Sequence, residues 1–177
     1  MQSLESFIED CRAAIDQDPT HHTALAVVER AFENPDTVMN IVGKPTASGL
    51  TPLYQSDTLT IANLVWKPGM ILAPHNHNMW AVIGIYTGRE DNIFWRRLKD
   101  DPDGKLEAAG ARSLSAGDVV PLGPDIIHSV ANPLDRFTGA IHVYGGDFFG
   151  IERSEWDAET LTERPYDMEK VKALFSA

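Results

Sequence analysis

Residues 68–80 read Pro-Gly-Met-Ile-Leu-Ala-Pro-His-Asn-His-Asn-Met-Trp, which sets His75 and His77 two positions apart in an apolar stretch. In an extended chain, side chains two apart leave the same face, so both imidazoles can reach one ion. Ile71, Leu72, Pro74, Met79 and Trp80 argue that this face is enclosed. Two neutral imidazoles are costly there without a metal or hydrogen-bond partners. Alone, His-x-His also describes a hydrogen-bonded structural pair. What strengthens the metal reading is His128, which follows the turns Gly117-Asp118 and Pro121-Leu122-Gly123-Pro124 and opens the run Ser-Val-Ala-Asn-Pro. One further strand would bring its ring to the same ion.

Outward from this stretch the pattern is β-like. Short apolar runs cover Thr58–Trp66, Ala81–Tyr86, Asn92–Leu98, Lys105–Ala109, Asp118–Pro121, His128–Ala131 and Thr138–Tyr144. Turn pairs such as Pro68-Gly69, Thr87-Gly88, Asp103-Gly104 and Ala116-Gly117 separate them. With no helical period between the strands, the pattern fits a sandwich or barrel rather than a parallel α/β sheet. Before it, Leu4, Phe7, Ile8, Cys11, Ala14 and Ile15 form a helical stripe behind Ser3 as N-cap. A second stripe, Leu25, Val28, Ala31 and Phe32, follows Thr20 as cap and stops at Asn34-Pro35. His21 and His22 in its first turn read as solvated surface residues, because adjacent helical positions point apart. We therefore expect one domain: a helical cap over residues 1–50, a β-barrel over 51–153, and a tail over 154–177 with one last helix at 167–175.

The chain has 177 residues and 43% hydrophobic side chains, enough for one sizeable core. Its net charge of −11 includes no basic block, which argues against nucleic-acid binding. The single cysteine, Cys11, excludes a disulfide framework or a Cys-rich zinc site within one chain. The acidic start of the sequence lacks the features of a signal peptide, and no run reaches the roughly 18 apolar residues of a membrane span. The expectation is a cytoplasmic protein with no membrane or nucleic-acid partner.

The histidines and glycines together resemble the two motifs of the cupin superfamily, the double-stranded β-helix or jelly-roll barrel. Its first motif is Gly, five residues, His-x-His, three or four residues, Glu, six residues, Gly. Gly69, His75, His77 and Gly88 match it, while Ala81 or Val82 stands where the Glu belongs. The second motif is similar to Gly117, Pro121, Gly123, His128 and Asn132, with Pro-x-Gly two residues early. A cupin with three histidines and no Glu resembles the cysteine dioxygenase-like family of thiol dioxygenases. That family carries Ser-x-His-x-Tyr one strand beyond the third ligand, matched here by Ala140-Ile141-His142-Val143-Tyr144 without the serine.

The resemblance implies Fe(II) held by His75, His77 and His128, with O2 as co-substrate and a small organic thiol as the molecule oxidised to a sulfinate. Three neutral imidazoles occupy one face of an octahedral ion and leave three positions open. Tyr144 would act on the reacting groups and His142 would orient its phenol. No cysteine lies near Ala81 and Val82, so the tyrosine crosslink of mammalian-type relatives is not expected. No arginine occurs between Arg30 and Arg89, so Gln55 stands near the place of the family's carboxylate-binding arginine, and Arg153, nine residues after Tyr144, is a candidate substitute that by sequence alone reads as a surface residue. A mercapto acid or an aminothiol therefore fits better than free cysteine. Trp80 is the tryptophan nearest the ligands and a candidate substrate contact. Glu90 and Asp91 read as a solvated turn, and Asp125 and Asn132 as supports for the His128 ring. Three imidazoles would equally take zinc or nickel. A zinc hydrolase, a three-histidine enzyme cleaving carbon–carbon bonds with iron, and a non-catalytic ligand-binding barrel are the competing expectations.

Overall fold

In the computed structural model, residues 3–176 are described. Three helices come first, and their starts follow from capping. The helix α1 (Leu4–Gln17) begins at a reciprocal pair in which Ser3 and Ser6 side chains each accept the other's backbone N–H. In α2 (His21–Phe32) the cap is Thr20. The Asn34-Pro35 pair stops α2 as expected but also starts a further helix, α3 (Pro35–Val42), with Asn34 as cap and the proline in its first turn. Proline costs nothing there, since its missing N–H would have no partner in any case.

Eleven strands follow: β1 (Gly49–Gln55), β2 (Thr60–Trp66), β3 (Ile71–Asn76), β4 (Ala81–Thr87), β5 (Arg89–Arg97), β6 (Leu106–Ser115), β7 (Val119–Leu122), β8 (Ile127–Ala131), β9 (Thr138–Tyr144), β10 (Ser154–Trp156) and β11 (Glu163–Pro165). They form two antiparallel sheets facing each other. One has the order β1-β2-β9-β4-β7 and the other β11-β10-β3-β8-β5-β6. Apart from the hairpins β1–β2, β5–β6 and β10–β11, consecutive strands thus cross between sheets, which is the wrapping of a double-stranded β-helix with a helical cap at its N-terminus. The tail holds one departure from the sequence reading, its two strands, and one agreement, its last helix. Residues 154–165 add β10 and β11 to the six-stranded sheet, and the last helix, α4 (Met168–Ser176), closes one end of the barrel by packing Phe175 on Trp66, ring centroids 5.1 Å apart. Three-residue strands carry too little alternation to be read from sequence.

The core has two main compartments. Between the sheets lie Leu64, Trp66, Leu72, Ile83, Ile85, Leu114 and Val130. Outside the five-stranded sheet, Phe7, Cys11, Val28 and Phe32 of the helices pack on Ile61, Val82, Tyr86, Ile141 and Val143. Here Gly84 is needed for space: a Cβ at that position would meet the Phe32 ring at 2.7 Å. Gly88, between β4 and β5, is needed for conformation, with φ +81° and Thr138 packed against it. That turn carries the chain from one sheet into the other and so sets where the inward residues of β5 lie.

Candidate metal centre

His75 and His128 are cross-strand partners in the β3–β8 ladder, and His77 sits just past the end of β3. The β3 register shifts between Leu72 and His75, at the proline Pro74, which has no N–H to give to a ladder. The irregularity lets the segment 75–77 turn both imidazoles inward. The ligand-capable nitrogens of His75, His77 and His128 all lie within 4.8 Å of one another, with the Nε2 atoms of His77 and His128 3.3 Å apart. All three rings are buried.

Each of two rings has its far nitrogen committed elsewhere. His75 Nδ1 donates to the Ala73 carbonyl at 2.9 Å, and His128 Nδ1 donates to Asn92 Oδ1 at 2.7 Å. In both rings Nε2 is left with its lone pair toward the cluster. Burial lowers the pKa of His75 to about 4. Burial, then the neighbouring histidines, hold His77 and His128 well below the usual histidine value. Three neutral imidazoles with converging lone pairs, and no carboxylate among them, are the donor set that a divalent transition metal takes. The residues present fit such an ion.

On the opposite sheet, Ala140, His142 and Tyr144 share the inner face of β9, as alternation requires. His142 Nδ1 and the Tyr144 hydroxyl are 2.9 Å apart. Burial keeps the Tyr144 phenol well above its ordinary pKa, hence protonated. Its ring stacks on Phe148 at 4.0 Å and meets the His77 ring edge-on at 5.2 Å. These groups line a small cavity of about 20 Å³, room for about one water-sized species.

Beyond the cavity lies an open cleft of about 820 Å³. Tyr166 borders both spaces, and Arg153 stands at the partition, its guanidinium 4.1 Å from the Phe148 ring centre and 4.0 Å from that of Tyr166. Arg153 is buried, donates from Nη1 to the Phe148 carbonyl at 2.5 Å, and has no partner for Nε or Nη2 among the described residues. The guanidinium thus keeps two donor nitrogens without a hydrogen-bond partner, next to the Tyr166 ring.

The other sequence candidates lie elsewhere. Gln55 is exposed at the end of β1 and donates to Asp147 Oδ1 at 2.7 Å, outside the cavity lining. Trp80 faces the helical layer, where its Nε1 donates to the Pro19 carbonyl. Its side chain points away from the histidines because Trp80 and Ala81 fall on opposite faces of the chain entering β4. Asn132 caps backbone of its own turn and of residues 66–67 instead of supporting His128, and Asp125 is exposed. The support comes from Asn92, which the sequence reading missed. Glu90 corrects the expectation of a solvated turn. It has no exposed surface, and its Oε1 accepts from Asn92 Nδ2 at 3.0 Å. The signal was available: Glu90 and Asn92 are two apart at the start of a strand, hence on one face.

No family model matches the chain. Solved structures similar to it include an RmlC-like cupin family protein with a double-stranded β-helix fold from Methanocaldococcus jannaschii, at 12% identity and TM-score 0.47 over 59% of this chain and 85% of that one. A cupin 2 conserved barrel domain protein from Salinispora arenicola is 25% identical with TM-score 0.42, over 54% of this chain and 72% of its own. A variant of Bacillus subtilis oxalate decarboxylase is 20% identical with TM-score 0.42, and the match spans 54% of this chain but only 23% of that enzyme. The chain's own two facing sheets wrap as a double-stranded β-helix barrel. Its histidine cluster is suited to a metal ion, and among the described residues no helix is long and apolar enough to cross a membrane.

Proposed function

We propose that this cupin barrel is an Fe(II)-dependent dioxygenase that converts a small mercapto acid to its sulfinate, R–SH + O2 → R–SO2⁻ + H⁺. Both oxygen atoms end on sulfur, two S–O bonds form, and the thiol proton is released. The observation that carries the reading is the joint placement of three buried neutral imidazoles and the His142–Tyr144 pair around one small cavity, with the Arg153 guanidinium on the cleft side of its Phe148–Tyr166 wall.

When bound, Fe(II) supplies open coordination positions for a thiolate and O2 together with the redox chemistry that joins them. The protein's own residues do the rest. His75, His77 and His128 present neutral nitrogens, so the site keeps the ion's positive charge and favours an anionic sulfur ligand. Arg153 has two donor nitrogens, Nε and Nη2, left for a carboxylate, which favours a mercapto acid over an aminothiol without one. Phe148, stacked on Tyr144, and Tyr166 wall the cavity from the cleft and exclude bulk water from the reacting groups. A cavity of about 20 Å³ is smaller than any thiol substrate, so this partition must open for entry.

The test is O2 uptake by Fe(II)-loaded, reduced protein with 3-mercaptopropionate, mercaptosuccinate, cysteine and cysteamine, with His77→Ala as the control. Uptake with a mercapto acid, matched by sulfinate and lost in the control, supports the proposal. Uptake with cysteamine alone overturns the role given to Arg153. Silence with every thiol, with iron shown to be bound, overturns the dioxygenase reading. The zinc alternative would then gain from a cavity with room for a single water beside three imidazoles.

A further inference from the structure

Glu90 is the one acidic side chain among the described residues that lies in the barrel interior beside the histidine–tyrosine pair, and the metal reading gives it no task. Its Oε1 is engaged by Asn92 Nδ2. Its Oε2 is fully buried and has no hydrogen-bond partner, and the same holds for Nε2 of His142. The two unpartnered atoms face each other across the barrel, 3.7 Å apart, Glu90 from the six-stranded sheet and His142 from the five-stranded one. At this position on β9's inner face the neighbouring Ala140 offers only a methyl group.

The separation exceeds a hydrogen bond, but its electrostatic sign is unambiguous. A carboxylate oxygen opposite a ring N–H is attractive, and opposite a ring lone pair it is repulsive. In a dry interior that difference decides between two tautomers otherwise close in energy. Asn92 fixes which way the carboxylate points. Its Oδ1 is taken by the His128 N–H, so its amide nitrogen must face Glu90, and Oε2 is left toward His142.

We propose that Glu90 is a positioning residue that holds the proton of neutral His142 on Nε2, so that Nδ1 accepts the Tyr144 O–H and the phenol oxygen turns its lone pairs to the metal cavity. Tyr144 then meets an incoming thiol as a hydrogen-bond acceptor for its S–H, before that proton is lost to give the thiolate, and not as a donor. That consequence rests on the proposed thiol chemistry. The tautomer does not.

The test reads ring nitrogens directly, by proton–nitrogen correlation NMR on metal-free protein with labelled histidine at mildly alkaline pH. In the wild type, Nε2 of His142 should give the N–H type shift and Nδ1 the bare-nitrogen shift. In Glu90→Gln the carboxamide keeps its oxygen for Asn92 and turns its NH2 toward His142, so the two shifts should exchange. Co(II) affinity of that variant should stay within about threefold of wild type, because the support of His128 is kept. A wild-type ring with its proton on Nδ1, or on both nitrogens, overturns the proposal, and so does an unchanged tautomer in Glu90→Gln. The wild-type spectrum decides the matter even if the variant fails to fold. Since neither iron nor turnover enters the measurement, protein inactive toward thiols that still shows the Nε2 proton would overturn the dioxygenase reading and leave this one standing.

Discussion

The five-stranded sheet is buried on both faces and the six-stranded sheet on one. Strands β4 and β9 are buried almost residue for residue, because α1, α2 and α3 cover their outer side, whereas six consecutive residues of β6 are exposed and Ile71 and Ile93 face water. His75 and His128, with Asn92 and Glu90, belong to the half-open sheet, and His77 follows directly from it. His142 and Tyr144 belong to the backed one. The barrel thus sets its candidate metal ligands on the sheet whose outer face is open, and its phenol on the sheet that helices clamp. A bulge at Pro74 can re-aim ligands only where the backbone is free to bend. A phenol that must keep one orientation belongs on a strand held from both sides.

If that division is real, damage to the helical layer should cost stability and spare the metal site. Phe32→Ala removes the ring that fills the space over Gly84, and a loss of about 3–5 kcal/mol in denaturant unfolding is expected. Co(II) affinity, measured where the variant is still folded, should change by less than about threefold. A parallel collapse of affinity would show that the two sheets act as one unit.

Acid should act on the other side of the comparison. His75 titrates at about 4 in the folded protein against 6.5 for an ordinary histidine. Between those values the unfolded chain carries a proton that the folded one refuses, so stability falls as pH falls through that window and is unaffected by this group above it. For His75 alone the loss is about 3 kcal/mol by pH 4, and His77 and His128 act in the same direction. Metal-free protein should show this as a melting temperature that drops from pH 6.5 to 4. Bound metal, which needs the same neutral nitrogens, should deepen the drop by dissociating.

Asn92→Ala sharpens the division within the half-open sheet. It removes the acceptor that orients His128 without touching a ligand, and Co(II) affinity should fall about 10–100-fold in a visible-absorption titration. An effect within about threefold would mean that the strand backbone alone aims the ring.

How much of this was legible in the sequence depended on period and on reach. The barrel was legible because its strands are short apolar runs punctuated by glycine turns, and the ligand triad because His75 and His77 carry a period of two. The α3 helix was hidden because Asn34-Pro35 is equally a stop and a start. Glu90, Asn92 and the burial of Arg153 were hidden for another reason. Their partners lie 36 residues away for Asn92 with His128, on the facing sheet for Glu90, and under aromatic rings of two separate segments for Arg153. A charged residue beside a turn reads as solvated unless the strand register that buries it is known. Gln55 shows the converse error: its place near the start of the barrel is right for a substrate contact, but β1 is an edge strand and its end faces Asp147 and solvent.

The smallest effect is expected on the open face. Ile71 is 70% exposed on β3, only six residues from His77. Its side chain leaves the sheet on the side away from the cavity, so Ile71→Thr, which keeps the β-branched shape, removes almost no buried apolar area. The change in unfolding free energy should stay within about 0.5 kcal/mol. The same exchange at Ile141, of which 1% is exposed on the clamped face of β9, places a hydroxyl among Val28, Phe32 and their neighbours and should cost several times more. Equal costs at the two positions would mean that the outer face of the six-stranded sheet is covered in solution by something that the isolated chain does not contain.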